Sequence, residues 1–348
     1  MVSSPVVFFA PARPHISLRY NLYFMIFLSE IEERIKRQTE DGYRIYIQDL
    51  IVNSQKVNAN YLYGREINGY MRYFGVREII AAYMQEEGLS VAQVLVRYNK
   101  KNNENERVVT EDSFNVLYAN SSIISNQSGL TADQLMQSIF MSPRKVAWSY
   151  PGDTFIIGAY NPGGETVDVH FLWSFDDGTQ NEEIDDEVID SIGYNEIPCY
   201  NSGPSITSVK VSWNSREMTI FYLPDSQVER FRFRNVFNVW EIASFSATVS
   251  SDPSEEQDTV YQDEVLKAYD REQKLEIKLE TAALPAFMYD TLLAMCRADK
   301  VQYKENGTWY DIVITEFKFP KSNEPNTPIV LELTFEFANA ERLEEMEY

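Results

Sequence analysis

The chain has 348 residues and 44% apolar side chains, which is long enough for two or three domains with real cores and not the composition of a disordered protein. Lys and Arg number 31 against 53 Asp and Glu, and the resulting formal charge of −22 argues against a nucleic-acid binder and against docking on an anionic membrane. The 22 tyrosines and 20 phenylalanines favour strands, so the expected class is mainly β: tandem β-sandwich domains.

Residues 1–141 read as an N-terminal β-rich domain with one or two helices. Strands are expected at Pro5–Ala10 and, longer and buried, at Ile16–Leu28. The apolar run Tyr20–Leu28 is too short to span a bilayer and is interrupted by Asn21. Arg13, His15 and Arg19 precede it, but no small-residue cleavage site follows, so it does not read as a signal peptide. Glu30–Glu40 is a charged turn or short helix, and Tyr43–Val52 returns as an apolar segment. Val76, Ile79, Ile80, Tyr83 and Met84 follow helical spacing, which predicts a helix over Val76–Glu87 closed by Gly88 at C′. Tyr43–Ser54 and Gly75–Met84 share a loose pattern that fits a weak internal repeat or chance equally well. Val91–Tyr98 and Phe114–Ala119 are further strands, separated by a polar loop at Asn99–Arg107. Thr131 is the N-cap of a short helix reaching Ile139.

Residues 142–236 carry short strand-like runs at Lys145–Tyr150, Thr154–Tyr160, Thr166–Phe175, Ile206–Trp213, Met218–Leu223 and Val228–Phe233. Turn signals such as Pro151-Gly152, Asn161-Pro162-Gly163-Gly164 and Asn214-Ser215 separate them. This spacing predicts an immunoglobulin-like β-sandwich, without the Cys…Trp…Cys pattern of antibody domains. The acidic run from Asp176 to Asp190 reads as a solvated or partner-facing loop; it lacks the ligand alternation of a calcium loop, and calcium binding there stays open.

Residues 237–348 form the best-patterned unit, a β-sandwich with one helix. A strand is expected at Glu241–Ser250, then an acidic loop at Ser251–Asp258. Lys274–Glu280 alternates strictly, with Leu275, Ile277 and Leu279 on one face. A helix is expected over Leu284–Ala298, with Pro285 in its first turn and Met288, Leu292 and Met295 on its buried stripe. Asn306-Gly307 predicts a type I′ hairpin between Val301–Lys304 and Thr308–Ile314. Leu331–Phe337 alternates again, and the charged tail Glu341–Tyr348 is expected to fray or coil into a helix.

Reactive groups are sparse. His15 and His170 stand alone, without a nucleophile or a metal-spaced partner. No phosphate-cradling or nucleophile-elbow motif occurs. No catalytic, cofactor-binding or metal residue is therefore assigned, and no cofactor is expected. Cys199 and Cys296 fall in different units and read as buried free thiols. Asn120, Asn126 and Asn306 begin glycosylation-type triplets of the kind chance supplies. Trp148, Trp173, Trp213, Trp240 and Trp309 lie in or beside strands; Trp309, after the turn, is the one expected to be partly exposed.

The order Phe231–Glu241, Lys274–Leu279, the Met288–Met295 helix, Val301–Tyr303, Gly307–Thr315 and Leu331–Phe337 resembles multidomain β-sandwich proteins of phages and prophages of gut bacteria that look like tail or baseplate components. It is also similar to the sandwich-plus-helix module that builds rings in phage tails. The resemblance implies a non-enzymatic virion structural protein, made in the host cytoplasm and acting in the tail. Its partners would be other virion proteins and copies of itself, with neither nucleic acid nor membrane. A carbohydrate-binding or adhesin-type surface protein with a glycan contact is the alternative, and a glycoside hydrolase using two carboxylates is a further one. The C-terminal unit, with its helix, is the module expected to make the assembly contacts.

Overall fold

In a computed structural model, the structure describes residues 25–40, 43–101, 106–119, 130–150, 153–161, 168–185, 193–200, 203, 205–224, 228–262, 265–319 and 327–338. The expected strand at 5–10, His15, the sequons at Asn120 and Asn126, the end of the acidic run at 186–190 and the tail at 341–348 lie outside them. The fold is mainly β, built as tandem sheets with small helices.

The N-terminal sheet orders β1 (Met25–Phe27), β4 (Glu106–Leu117), β3 (Val91–Lys101) and β2 (Arg44–Val52), extended by the short strands Gln55–Lys56 and Leu62–Tyr63. β1 runs parallel to β4, and the other ladders are antiparallel. The described part of the long N-terminal strand ends at Phe27, where Leu28 enters a 3-10 turn leading to α1 (Ile31–Ile35). α2 (Val76–Glu86) buries Val76, Ile80 and Met84, as its spacing predicts. These side chains join Ile47, Leu50, Val94, Val96 and Phe114 in one core. The loose repeat is not structural, since one copy is strand β2 and the other is helix α2. The polar segment at 99–107 is mostly hairpin: β3 continues to Lys101 and β4 begins at Glu106. α3 (Ala132–Ser138) follows with a reciprocal capping box, Gln134 N donating to Thr131 Oγ1 at 3.3 Å and Thr131 N to Gln134 Oε1 at 3.0 Å.

Among the described residues the middle unit is a seven-strand sandwich. One sheet orders β5 (Val146–Ser149), β11 (Arg216–Tyr222), β10 (Ile206–Trp213), β7 (Val169–Phe175) and β8 (Gln180–Asp185). The other pairs β6 (Thr154–Asn161) with β9 (Gly193–Tyr200). Phe155, Ile157, Ile197 and Cys199 of the small sheet pack against Phe171, Val209, Val211 and Ile220 of the large one. Two strands depart from the sequence reading. The acidic segment Gln180–Asp185 is the edge strand β8, not a loop, and it is nearly all exposed. With no face buried it has no apolar alternation to read. Gly193–Tyr200 was not expected as a strand; only its odd-numbered positions from 195 to 199 are buried, and two of those are Asn and Cys.

The C-terminal sheet has seven strands, in the order β13 (Trp240–Phe245), β12 (Glu229–Arg234), β16 (Val301–Glu305), β17 (Thr308–Lys318), β18 (Glu332–Phe337), β15 (Val265–Thr281) and β14 (Ala247–Gln262). β12, grouped with the middle sandwich by its spacing, hydrogen-bonds β13 and β16 instead. The expected loop at 251–258 is strand as well: β14 and β15 pair from Ala247↔Thr281 out to Gln262↔Val265. Their neighbour β18 covers only Ile277–Glu280, so beyond that, among the described residues, the two strands pair solely with each other. At about 3.3 Å per residue this ribbon projects roughly 35 Å. Asn306 and Gly307 both have positive φ, 49° and 86°, as the predicted I′ turn requires.

The expected helix at 284–298 is shorter. Leu284 bridges to Ile329, Pro285 is extended, and a 3-10 turn at Ala286–Met288 leads into α4 (Tyr289–Cys296). Met288, Leu292 and Met295 are all fully buried against the sheet, beside Phe231, Phe233, Phe245 and Phe335.

A separate apolar cluster ties the units together. Met25, Phe27 and Leu117 of the first unit, Leu135 and Met136 of α3, Tyr160 of the second and Phe237 and Val239 of the third form one core. Arg216 reinforces it from within. The residue is 2% exposed, and its guanidinium stacks 3.8 Å over Trp213 and donates to the carbonyls of Met136, Ile139 and Tyr160, closing the C-terminal end of α3.

Candidate functional site

Strand β12 reads Glu-Arg-Phe-Arg-Phe-Arg, and its period of two separates the side chains. Phe231 and Phe233 are wholly buried, while Arg230, Arg232 and Arg234 lie half-buried on the opposite face. Arg230 is taken by Asp153, 2.7 Å away. The other two enter a row of alternating cations and indoles. Arg234 lies 4.2 Å over Trp240, and Arg232 lies 4.6 Å from both Trp240 and Trp309. Lys304 ends the row 5.5 Å from Trp309. The strand register makes it possible: Arg234 sits opposite Trp240, Arg232 opposite Gln302, and Lys304 opposite Trp309. Arg232 Nε donates to Gln302 Oε1 at 2.6 Å, and Gln302 Nε2 to Asp311 Oδ1 at 2.6 Å, which fixes the guanidinium between the rings. Burial pushes both Arg232 and Arg234 below the ordinary guanidinium value, with Asp311 opposing this at Arg232 and Tyr194 and Glu196 opposing it at Arg234. Partly desolvated cation–π pairs are worth about 1–2 kcal/mol each.

Arg234 also reaches the place where the units meet. A cavity of about 370 Å³ is bordered there by Tyr118, Arg144, Arg234, Asn235, Arg297 and Asp299. A smaller one of about 160 Å³ adjoins it and adds Lys300. Arg144 is spent on a buried ion pair with Glu241. Arg234 Nη1 donates to Asn238 O at 2.7 Å. Cations thus continue from the row into the cleft, on a chain whose overall charge is strongly negative.

The loop behind the row, Asn235–Val239, rivets the units. Asn235 Oδ1 accepts from the amides of Phe237 and Val239, which shapes the turn. Asn238, at φ 58°, donates from Nδ2 to Met84 O at 2.8 Å and Leu89 O at 3.1 Å, at the end of α2. Two glycines make room. A Cβ on Gly88 would stand 2.7 Å from an Arg234 nitrogen, and one on Gly158 would stand 2.9 Å from Val239.

The other singled-out residues are scattered. His170 is half-buried and meets Glu182 across β7 and β8 at 3.0 Å. Trp173 donates to Glu183 at 3.0 Å. Asp177 accepts from the amide and hydroxyl of Thr179, and these bonds hold its carboxyl below the usual range. Among the described residues no group of three or more His, Cys, Asp or Glu is placed to hold a metal ion. Cys199 and Cys296 are buried free thiols, as expected. Trp148 and Trp213 are core, and Trp309 is half-buried in the row. The row itself was missed from sequence, although the alternation Arg-Phe-Arg-Phe-Arg was there to read.

No protein-family model matches the chain, and no curated protein matches it.

Proposed function

We propose that this chain is a non-enzymatic structural protein that acts by subunit assembly, of the phage tail or baseplate kind that its sequence resembles. The observation that supports this best is the β14–β15 ribbon, which leaves the body of the C-terminal sheet and, among the described residues, has no strand paired on either of its edges. An isolated two-stranded ribbon is only marginally stable in water, so one of this length calls for a partner surface. The three units are joined by a shared core and a buried hydrogen-bonded loop, which gives a stiff body on which to mount such a ribbon. The groups with strongly raised pKa values, among them Tyr73, Tyr98, Cys199 and Cys296, owe the shift first to burial in packed cores and not to a charged neighbour in a cleft. Light scattering of the full chain over a wide concentration range tests the reading. Assemblies larger than one chain are expected, and a monomer at every concentration would sink it.

A second reading, glycan binding, is favoured by one place. Tyr61 and Tyr63, 47% and 68% exposed, flank the buried Tyr46 with ring centres 5.0 and 5.4 Å away. Such rings can stack on a sugar face. Binding to a glycan array that is lost on Tyr63→Ala would favour this reading, and no binding to any glycan would remove it.

A further inference from the structure

We propose that the row Arg234–Trp240–Arg232–Trp309–Lys304 is the surface that receives the β14–β15 ribbon of a second copy of this chain, joining copies head to tail. The inference rests on the assembly reading and names its partner.

Three observations carry it. The first is position. β13 and β12, which hold most of the row, lie at one edge of the seven-stranded sheet, and β14 and β15 lie at the other. A ribbon leaving one edge of a sheet is poorly placed to return to the opposite edge of the same sheet, but it can reach that edge on a neighbour.

The second is charge. Residues 252–275 contain eight carboxylates and three cations. The row offers three cations, and Arg297 and Lys300 extend it through the adjoining cavities. Complementary fields of this kind steer and orient association. Two ribbons meeting each other would instead set like charges on neighbouring strands, which is unfavourable. The ribbon therefore selects the row over a second ribbon.

The third is preorganisation. The outer edge of β13 is covered by the middle unit, where Ser244 is 1% exposed and its carbonyl accepts from Trp148 Nε1, so the contact is made on the face of the sheet that carries the guanidiniums. The indoles hold those guanidiniums in place, so little side-chain freedom is lost on contact.

A contact between two different patches is heterologous. Repeated, it closes into a ring or runs on as a filament, according to the rotation per copy.

Sedimentation velocity on the full chain tests the proposal, comparing wild type with two variants, Arg232→Glu/Arg234→Glu in the row and Glu255→Lys/Glu256→Lys in the ribbon. Each is expected to weaken self-association by about tenfold or more, and added salt is expected to weaken the wild type in the same sense. Near-ultraviolet circular dichroism checks that the row variant keeps its fold. If it does not, the ribbon variant carries the test alone. Copies that associate as tightly with the reversed ribbon as without it would overturn the proposal and leave the assembly reading standing. A wild type that never associates would remove both.

Discussion

The side-chain amide of Asn238 donates 2.8 Å to the carbonyl of Met84, which lies 154 residues earlier in the chain. Asn238 is 2% exposed and its backbone is in the left-handed region, which Asn tolerates better than most residues. This one side chain satisfies two carbonyls at the end of α2 and fixes the C-terminal unit on the first. The segment between 236 and 237, where a composition-based boundary falls, is thus among the most tightly held in the protein.

Asn238→Ala takes the side-chain donor from the carbonyls of Met84 and Leu89, of which Met84 keeps the amide of Leu89 at 2.7 Å, and puts a Cβ-bearing residue without local hydrogen bonding at positive φ. A loss of about 2–4 kcal/mol is expected. Asn238→Gly relieves the backbone and should recover part of it. Gly158→Ala, which drives a Cβ against Val239 and Tyr194 in the same joint, should cost about 1–3 kcal/mol. Urea unfolding of the three variants checks the order; an unchanged midpoint for Asn238→Ala would show that the units are held by the apolar cluster alone.

Stability should fall in alkali. Burial pushes the thiols of Cys199 and Cys296 from an ordinary 9 up to about 12, and raises Tyr73, Tyr98, Tyr194 and Tyr222 above their ordinary 10. A raised folded value means that the unfolded chain gives up its proton first. The thiol contribution is complete below pH 9 and drains away as pH climbs from 9 to 12, with the tyrosines adding to the loss above 10. Burial pushes Arg216 the other way, down to about 10 from 12.5, but a guanidinium that donates to three carbonyls and stacks on Trp213 keeps its proton and stays out of this balance. Melting temperature should be lower at about pH 11 than at pH 8, with tyrosinate absorbance rising together with unfolding. Tyrosines that ionise at their ordinary value in the folded protein would contradict the burial argument.

Neither thiol should react in the native state. Cys199 is 0% exposed and Cys296 8%, and both are held in the protonated form at neutral pH. A thiol reagent should label neither within the time in which the unfolded chain labels both, and Cys296 should be the faster of the two. Rapid native labelling of Cys199 would mean that the β6–β9 sheet opens readily.

Much of the fold was legible where one face is buried and the other is wet. α2, the alternation at Lys274–Glu280 and the Asn306-Gly307 turn each leave a periodic trace, because the core selects every second or every third to fourth residue. β8 left none, since solvent meets both its faces. The acidic segment at 251–258 reads as loop by composition yet forms half of a ribbon, because strand pairing needs only backbone groups in register and makes no demand for an apolar face. β12 was grouped with the wrong sheet because local pattern names a strand but not its partners; its ladders reach to Trp240 on one side and to Val301 on the other. The cation–indole row is likewise a product of register, drawing its members from two regions of the chain, 232–240 and 304–309, and no single window contains it.

The most direct test of head-to-tail assembly is a mixing experiment read by native mass spectrometry. One variant lacks residues 252–275, replaced by a short Gly-Asn turn, and keeps the row. The other keeps the ribbon and carries Arg232→Glu/Arg234→Glu. Each has one half of the contact, so each alone should stay monomeric, and the mixture should form a one-to-one pair and stop there. A mixture that stays monomeric while the wild type assembles, or a variant that assembles alone, would contradict the account.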